Sequence, residues 1–172
     1  RVPVAVMAAR IARVPRIVLR LGLVRRLPAS GSKLLRYRMA PEHPFPAATD
    51  DCMCALDWLV QHAGELEGDT TRIAVAGDSA GGNLAAVTAL RARDEGGPRL
   101  ASQLLIYPVT AHYTRDTRSY SENGRGYLLT RDSMAWFIEH YMSGGDKRDP
   151  RASPLLAKSL DNLPPAYVIT AG

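Results

Sequence analysis

The sequence predicts an α/β fold, a mostly parallel sheet with helices on both faces, incomplete at both ends. Three observations point there. Short apolar or β-branched runs alternate with longer stretches of helical periodicity, the pattern of βαβ units. Arg72-Ile73-Ala74-Val75-Ala76 runs straight into a glycine-rich turn and then an Ala/Leu-rich stretch. The chain has 172 residues, 46% of them apolar, enough for one domain with a core.

The elements follow in order from residue 33. Residues 33–37 read as a short strand, and Pro41, Pro44 and Pro46 then enforce a loop. Residues 47–62 read as a helix with Leu56, Trp58 and Leu59 on its apolar side. Gly64 and Gly68 fall in the next loop, residues 72–76 form a buried strand, and residues 77–82 turn into a helix over 83–93. Residues 103–107 are a strand stopped by Pro108. Residues 130–142 are a helix with Thr130 as N-cap, and residues 166–170 are a final strand.

Residues 1–27 stand apart. Ile11, Val14, Ile17, Val18, Leu21 and Val24 recur at helical spacing, interrupted by Pro15. The first 41 residues hold ten Lys or Arg and no acid; the rest carries 12 basic and 17 acidic residues. The overall charge of +5 therefore joins a basic leader to a mildly acidic body. Two readings of the leader stay open: a targeting-like or surface-binding amphipathic helix, and a shift of reading frame. A nucleic-acid partner is not expected, since no basic reading surface is recognisable. No run of about 18 apolar residues occurs, so no membrane span is expected. Cys52 and Cys54 sit at a spacing that turns them to different faces of a helix, a poor metal pair. Both are read as buried small apolar residues, consistent with a reducing cytoplasm. No metal site is expected.

Gly77-Asp78-Ser79-Ala80-Gly81 fits G-x-S-x-G between a strand and a helix, the context of a nucleophile elbow. The flanking glycines let the chain bend without Cβ clashes, so the Ser79 hydroxyl projects from the sheet edge. The helix that follows aims its first N–H groups at the same point, which favours developing negative charge. The Ala80 N–H is the candidate oxyanion donor. Gly77, Asp78, Gly81 and Gly82 shape the turn, with Asp78 expected to hydrogen-bond locally. A plain glycine-rich turn without chemistry is the competing reading.

Gly77-Asp78-Ser79-Ala80-Gly81-Gly82-Asn83 resembles the nucleophile motif of the hormone-sensitive-lipase-like carboxylesterases of the α/β-hydrolase superfamily. Tyr37-Arg38-Met39-Ala40-Pro41-Glu42, followed by Asp50-Asp51, resembles a second segment of that family, as do Leu105-Ile106-Tyr107-Pro108-Val109 and Gly126-Tyr127-Leu128-Leu129-Thr130. The resemblance covers residues 27 to 172. It implies an α/β-hydrolase fold and hydrolysis of short to medium acyl esters, small molecules, without metal or cofactor. It also implies that residues 112–150 contribute to a cap and acyl-binding wall. Trp136, Phe137 and Tyr141 there are read as core rather than ligand-binding.

A serine nucleophile needs a base and an orienting carboxylate, in the chain order Ser, Asp or Glu, His. The family places the Asp just after the strand that residues 166–172 resemble, and the His later, so neither is expected in this chain. His43 is read as structural, and His62 and His140 as surface residues. His112, after a strand end, is the one substitute worth testing. Asp50 and Asp51 are expected to orient Arg38. The family's oxyanion loop, His-Gly-Gly-Gly, is expected near residues 5 to 8, which read Ala5-Val6-Met7-Ala8. Back-translated and read from each codon's third base, Pro3-Val4-Ala5-Val6-Met7 can encode Gly-Gly-Gly-Tyr; this motivates the frameshift hypothesis for residues 1–27. Two functional classes compete with the esterase: a non-catalytic scaffold of the same fold, and a peripheral membrane protein led by the basic segment.

Overall fold

A computed structural model describes residues 4–7, 24–26, 33–66, 68–112 and 116–170. Within them six strands form one sheet. They are β1 (Val4–Met7), β2 (Val24–Arg26), β3 (Lys33–Leu35), β4 (Ala74–Asp78), β5 (Ser102–Ile106) and β6 (Ala166–Ile169). The spatial order is β2-β3-β1-β4-β5-β6. All pairings are parallel except β2 with β3. The helices are α1 (Ala47–Gln61), α2 (Ala80–Asp94), α3 (Arg118–Glu122) and α4 (Arg131–Met142).

β4 is central and reads as near-continuous apolar sequence because both of its faces are covered, as parallel strands require. Val75 and Leu105, from β4 and β5, share one core with Leu35 of β3, with Met53, Leu56 and Leu59 of α1, and with Leu84 and Ala85 of α2. In α1 the buried Ala48, Cys52, Leu56 and Leu59 fall at four-, four- and three-residue steps, so one stripe faces the core, whereas α2 is buried on most of its surface. Truncating a fully buried side chain such as Leu56 costs about 2–5 kcal/mol. A second cluster joins Ile138 and Met142 of α4 to Ala152, with Phe45 and Tyr141 packed against it. Thr130 caps α4 as predicted: its hydroxyl accepts from the Ser133 N–H, and the Ser133 hydroxyl accepts from the Thr130 N–H.

Several expectations need correction. Val24, counted into a helical stripe, lies in β2, antiparallel to β3, and Val4–Met7 is a strand between β3 and β4. Residues 11–21 of that stripe lie outside the described residues. Cys52 is buried but Cys54 is exposed, because two helical steps turn one inward and the other out. Trp136 and Phe137 are 55% and 45% exposed rather than core, while Tyr141 is half-buried. The stripe of α4 runs through Ile138 and Met142, and positions 136 and 137 sit roughly 200° and 100° around the helix from Ile138.

Candidate active site

Ser79 stands between the carboxyl end of β4 and the first turn of α2, at φ 52° and ψ −116°. For a non-glycine residue this is strained backbone. The strain is held by neighbours. The Ser79 N–H donates to the Ile106 carbonyl at 2.9 Å, and its carbonyl accepts from Asn83 at 3.0 Å and Val109 at 3.3 Å. The side chain makes no capping bond to α2, which leaves its hydroxyl for other work. Gly77 must be glycine: a Cβ there would overlap the Gly81 carbonyl. Gly82 is less confined: a Cβ there would fall 3.0 Å from Pro108, a close contact that a small shift relieves. Tyr107, at the end of the adjacent strand, also has positive φ, 36°. Two left-handed residues thus mark the carboxyl edge of the sheet, where open α/β sheets carry their sites.

Ala80 occupies the first position of α2, where an N–H has no intrahelical acceptor. Burial pushes the Tyr37 phenol up, with Cys52, Tyr141 and lastly Asp78 adding to it by charge. Asn83, known from the sequence only as the end of the motif, proves to be buried and bonded across the loop that follows β5. The hint was an Asn facing the apolar side of an Ala-rich helix.

Among the described residues no histidine ring hydrogen-bonds Ser79. His62 and His140 turn Nδ1 toward the carbonyls of Trp58 and Trp136; His62 stacks on its tryptophan ring and His140 packs tilted against its own, and both are half-buried rather than plainly surface. His43 is exposed, its N–H donating to the Met39 carbonyl. His112 packs beside Tyr141, and neither of its ring nitrogens has a partner. Burial, helped by Lys147, lowers it to about 4, so it is neutral at pH 7. Asp51 does orient Arg38, but Asp50 instead pairs with Arg91 at 2.9 Å. Adjacent helical residues point about 100° apart, so one loop arginine cannot take both. The described residues hold no cluster of three metal-ligating side chains and no helix long and apolar enough to cross a membrane.

Comparison with known proteins gives the family. A family model described as alpha/beta hydrolase fold matches residues 34–172. The carboxylic ester hydrolase LipN of Mycobacterium tuberculosis is 49% identical over 79% of this chain and 38% of its own length. The ethyl acetate hydrolase of Pseudomonas putida is 42% identical over 78% of this chain and 43% of its own. An esterase structure from Pyrobaculum calidifontis superposes with a TM-score of 0.81 at 38% identity, covering 98% of this chain and 56% of that one. The chain thus spans about two fifths of the length of the curated relatives it matches. With most of its residues matched by the family model, and a strained serine set between β4 and α2, the chain belongs to the α/β-hydrolase fold family.

Proposed function

We propose that this segment supplies the nucleophile of a serine carboxylesterase acting on short to medium acyl esters. The observation that carries the reading is the strained Ser79 backbone between β4 and α2, with no room for a Cβ at Gly77. Backbone strain of this kind persists only where its surroundings impose it, and it gathers at functional sites. Relatives named as ester hydrolases support the reaction class.

In this mechanism the Ser79 Oγ attacks the ester carbonyl carbon. A base takes the hydroxyl proton and returns it to the departing alcohol. Water then hydrolyses the acyl-enzyme. The Ala80 N–H donates to the developing oxyanion, aided by the positive end of α2. Gly81, Gly82 and Asp78 keep the turn in shape. No cofactor or metal takes part. Among the described residues no histidine ring bonds Ser79, which supports a base and carboxylate supplied from outside them. Residues 112–150 form part of the acyl wall, where Tyr127, Leu128, Leu129, Trp136 and Phe137 are all exposed. The unpaired cysteines support a reducing, cytoplasmic setting.

The test is hydrolysis of short p-nitrophenyl esters by a full-length form carrying a downstream histidine, with Ser79→Ala alongside. Loss of nearly all turnover is expected, because triad members act as a unit. Retention of more than a few per cent would reject Ser79 as nucleophile. The 172-residue chain itself is expected to be inactive or nearly so, since without a base the hydroxyl stays protonated and weakly nucleophilic. That same lack of a bonded histidine favours the second reading, a non-catalytic scaffold. Serine-dependent turnover by the 172-residue chain at the level of a whole esterase would overturn both the scaffold reading and the expected inactivity.

A further inference from the structure

We propose that Asn83 is a positioning residue for Ser79, a clamp that fixes the nucleophile's main chain by tying two remote loops to the first turn of α2. The proposal rests on Ser79 as nucleophile, but the clamp itself is read from bonds that do not depend on catalysis.

Asn83 lies one turn beyond Ser79, with its side chain in the interior at 3% exposure. Its Nδ2 donates to the Val109 carbonyl at 2.6 Å and to the Ala152 carbonyl at 2.8 Å. Both partners are carbonyl oxygens, which only accept. The NH2 end of the carboxamide must therefore face them, and both of its hydrogens are used. The two acceptors are 26 and 69 residues away in sequence, so a single side chain joins three segments.

Val109 is held from both sides. Its carbonyl takes the Asn83 side chain, and its N–H donates to the Ser79 carbonyl. That carbonyl also receives the Asn83 N–H, closing a small circuit through Ser79, Asn83 and Val109. The Ala152 side is laced to the same loop. Leu155 N–H donates to the Thr110 carbonyl at 3.1 Å, and His112 N–H donates to Ser153 Oγ at 2.8 Å. Ser153 Oγ donates in turn to the Lys147 carbonyl at 2.7 Å. The loop after β5 and the turn at residues 152–155 thus form one body, and Asn83 bonds that body to the elbow.

A φ of 52° at a serine relaxes unless its peptide groups are held. The Ile106 carbonyl holds the N–H side from within the sheet. On the carbonyl side, Val109 is held only as well as its loop, which the Asn83 side chain fixes. Loosening it moves Oγ without unfolding the sheet. Small displacements of a reacting atom cost rate far more than binding.

The experiment compares Asn83→Asp, nearly the same shape but with oxygens facing two carbonyls, with the unsubstituted protein. Hydrogen exchange is read by mass spectrometry on peptides covering Ser79 and Val109, and on the β4–β5 ladder. We expect exchange at Ser79 and Val109 at least tenfold faster, with the ladder changed less than twofold. In a full-length form that turns over p-nitrophenyl acetate, kcat falls by 10- to 100-fold while KM stays within twofold. Should Asn83→Asp not fold, Asn83→Ser, which keeps one short donor, takes its place. Uniform acceleration across the ladder, unchanged exchange at Ser79 and Val109, or an unchanged kcat overturns the proposal. No turnover in the unsubstituted full-length protein would instead sink the esterase reading, and the exchange pattern alone would then decide the clamp.

Discussion

Arg38 holds Asp51 with three donors: Nη2 reaches Oδ1 at 2.7 Å, Nε reaches the same oxygen at 2.9 Å, and the backbone N–H reaches Oδ2 at 2.8 Å. The carboxylate is buried in α1 while the guanidinium is one-third exposed. The pair therefore fastens the segment after β3 to the helix that packs beside α2. Asp51→Asn keeps the volume and loses the charge-assisted bonds, each worth about 1.5–3 kcal/mol. A loss of about 1–3 kcal/mol in urea unfolding is expected after discounting for the exposed side of Arg38. Asp50→Asn, whose partner Arg91 also bonds Glu95 and whose own carboxylate is half exposed, should cost less than about 1 kcal/mol. Equal costs would show that the two carboxylates do not differ in the way their burial says.

The glycines offer a steric contrast. Gly77→Ala places a methyl group against the Gly81 backbone, which cannot move without moving Ser79. Overpacking against backbone costs typically 1–3 kcal/mol and sometimes more. Gly64→Ala meets nothing within 4 Å and has no left-handed φ, so it should be neutral or slightly stabilising. Denaturant midpoints of the two variants check the pair. A Gly77→Ala protein as stable as the parent would mean that the turn has more room than its geometry shows.

The elbow was legible because all of its signals are local: strand, glycines, serine and helix lie within one stretch, and each constrains the next. Thr130 and the ends of α1 and α4 were legible for the same reason. β1 was not. Val4–Met7 is four residues long, and its strand character comes from β3 and β4, which are remote in sequence. A short apolar run among arginines carries no such information. The partner of Asp50 was not legible, because adjacent acids look alike in sequence and only the helix angle separates them. Trp136 and Phe137 lie off the buried stripe of α4, and their aromatic identity carries no sign of that. The Asn83 bonds needed the loop after β5 and the turn at Ala152 to be placed in space.

His112 gives a pH dependence with a definite sign. Its folded value is about 4, below the ordinary 6.5, because burial disfavours the charged ring and Lys147 adds to this. The unfolded chain then binds a proton between about pH 6.5 and 4 that the folded chain does not. Stability is full above the unfolded value and falls as pH drops through that window, by up to about 1.4 kcal/mol per pH unit. His112→Leu removes the titration and two unpartnered ring nitrogens. Its unfolding free energy should match or exceed the parent's at pH 7, and the gap should widen toward pH 4. Tyr141→Phe, which deletes an unpartnered buried hydroxyl beside it, should be neutral or stabilising. Parallel pH profiles for parent and His112→Leu would show that His112 titrates normally or bonds in solution.

β6 is the outermost strand beside β5, and Tyr167, Val168 and Ile169 are exposed there, Tyr167 at 69%. Gln103 N–H donates to the Pro165 carbonyl and Tyr107 N–H to that of Ile169. In a parallel ladder this phase turns the odd-numbered residues of β6 toward β5. The N–H and C=O groups of Ala166 and Val168 therefore point to the open edge. The strand carries no charged side chain, the prolines lie before it, and among the described residues no strand pairs with its open edge. Two copies meeting antiparallel about Tyr167 would pair Ala166 of each with Val168 of the other. The 172-residue chain should accordingly self-associate as its concentration rises. Val168→Lys puts a charge on the open edge without touching the buried core, so it should shift the population toward monomer while the circular dichroism stays unchanged. Light scattering over a concentration series reads the difference. Association as strong in Val168→Lys as in the parent would place the contact elsewhere, with the exposed Leu128 and Trp136 the next surface to charge.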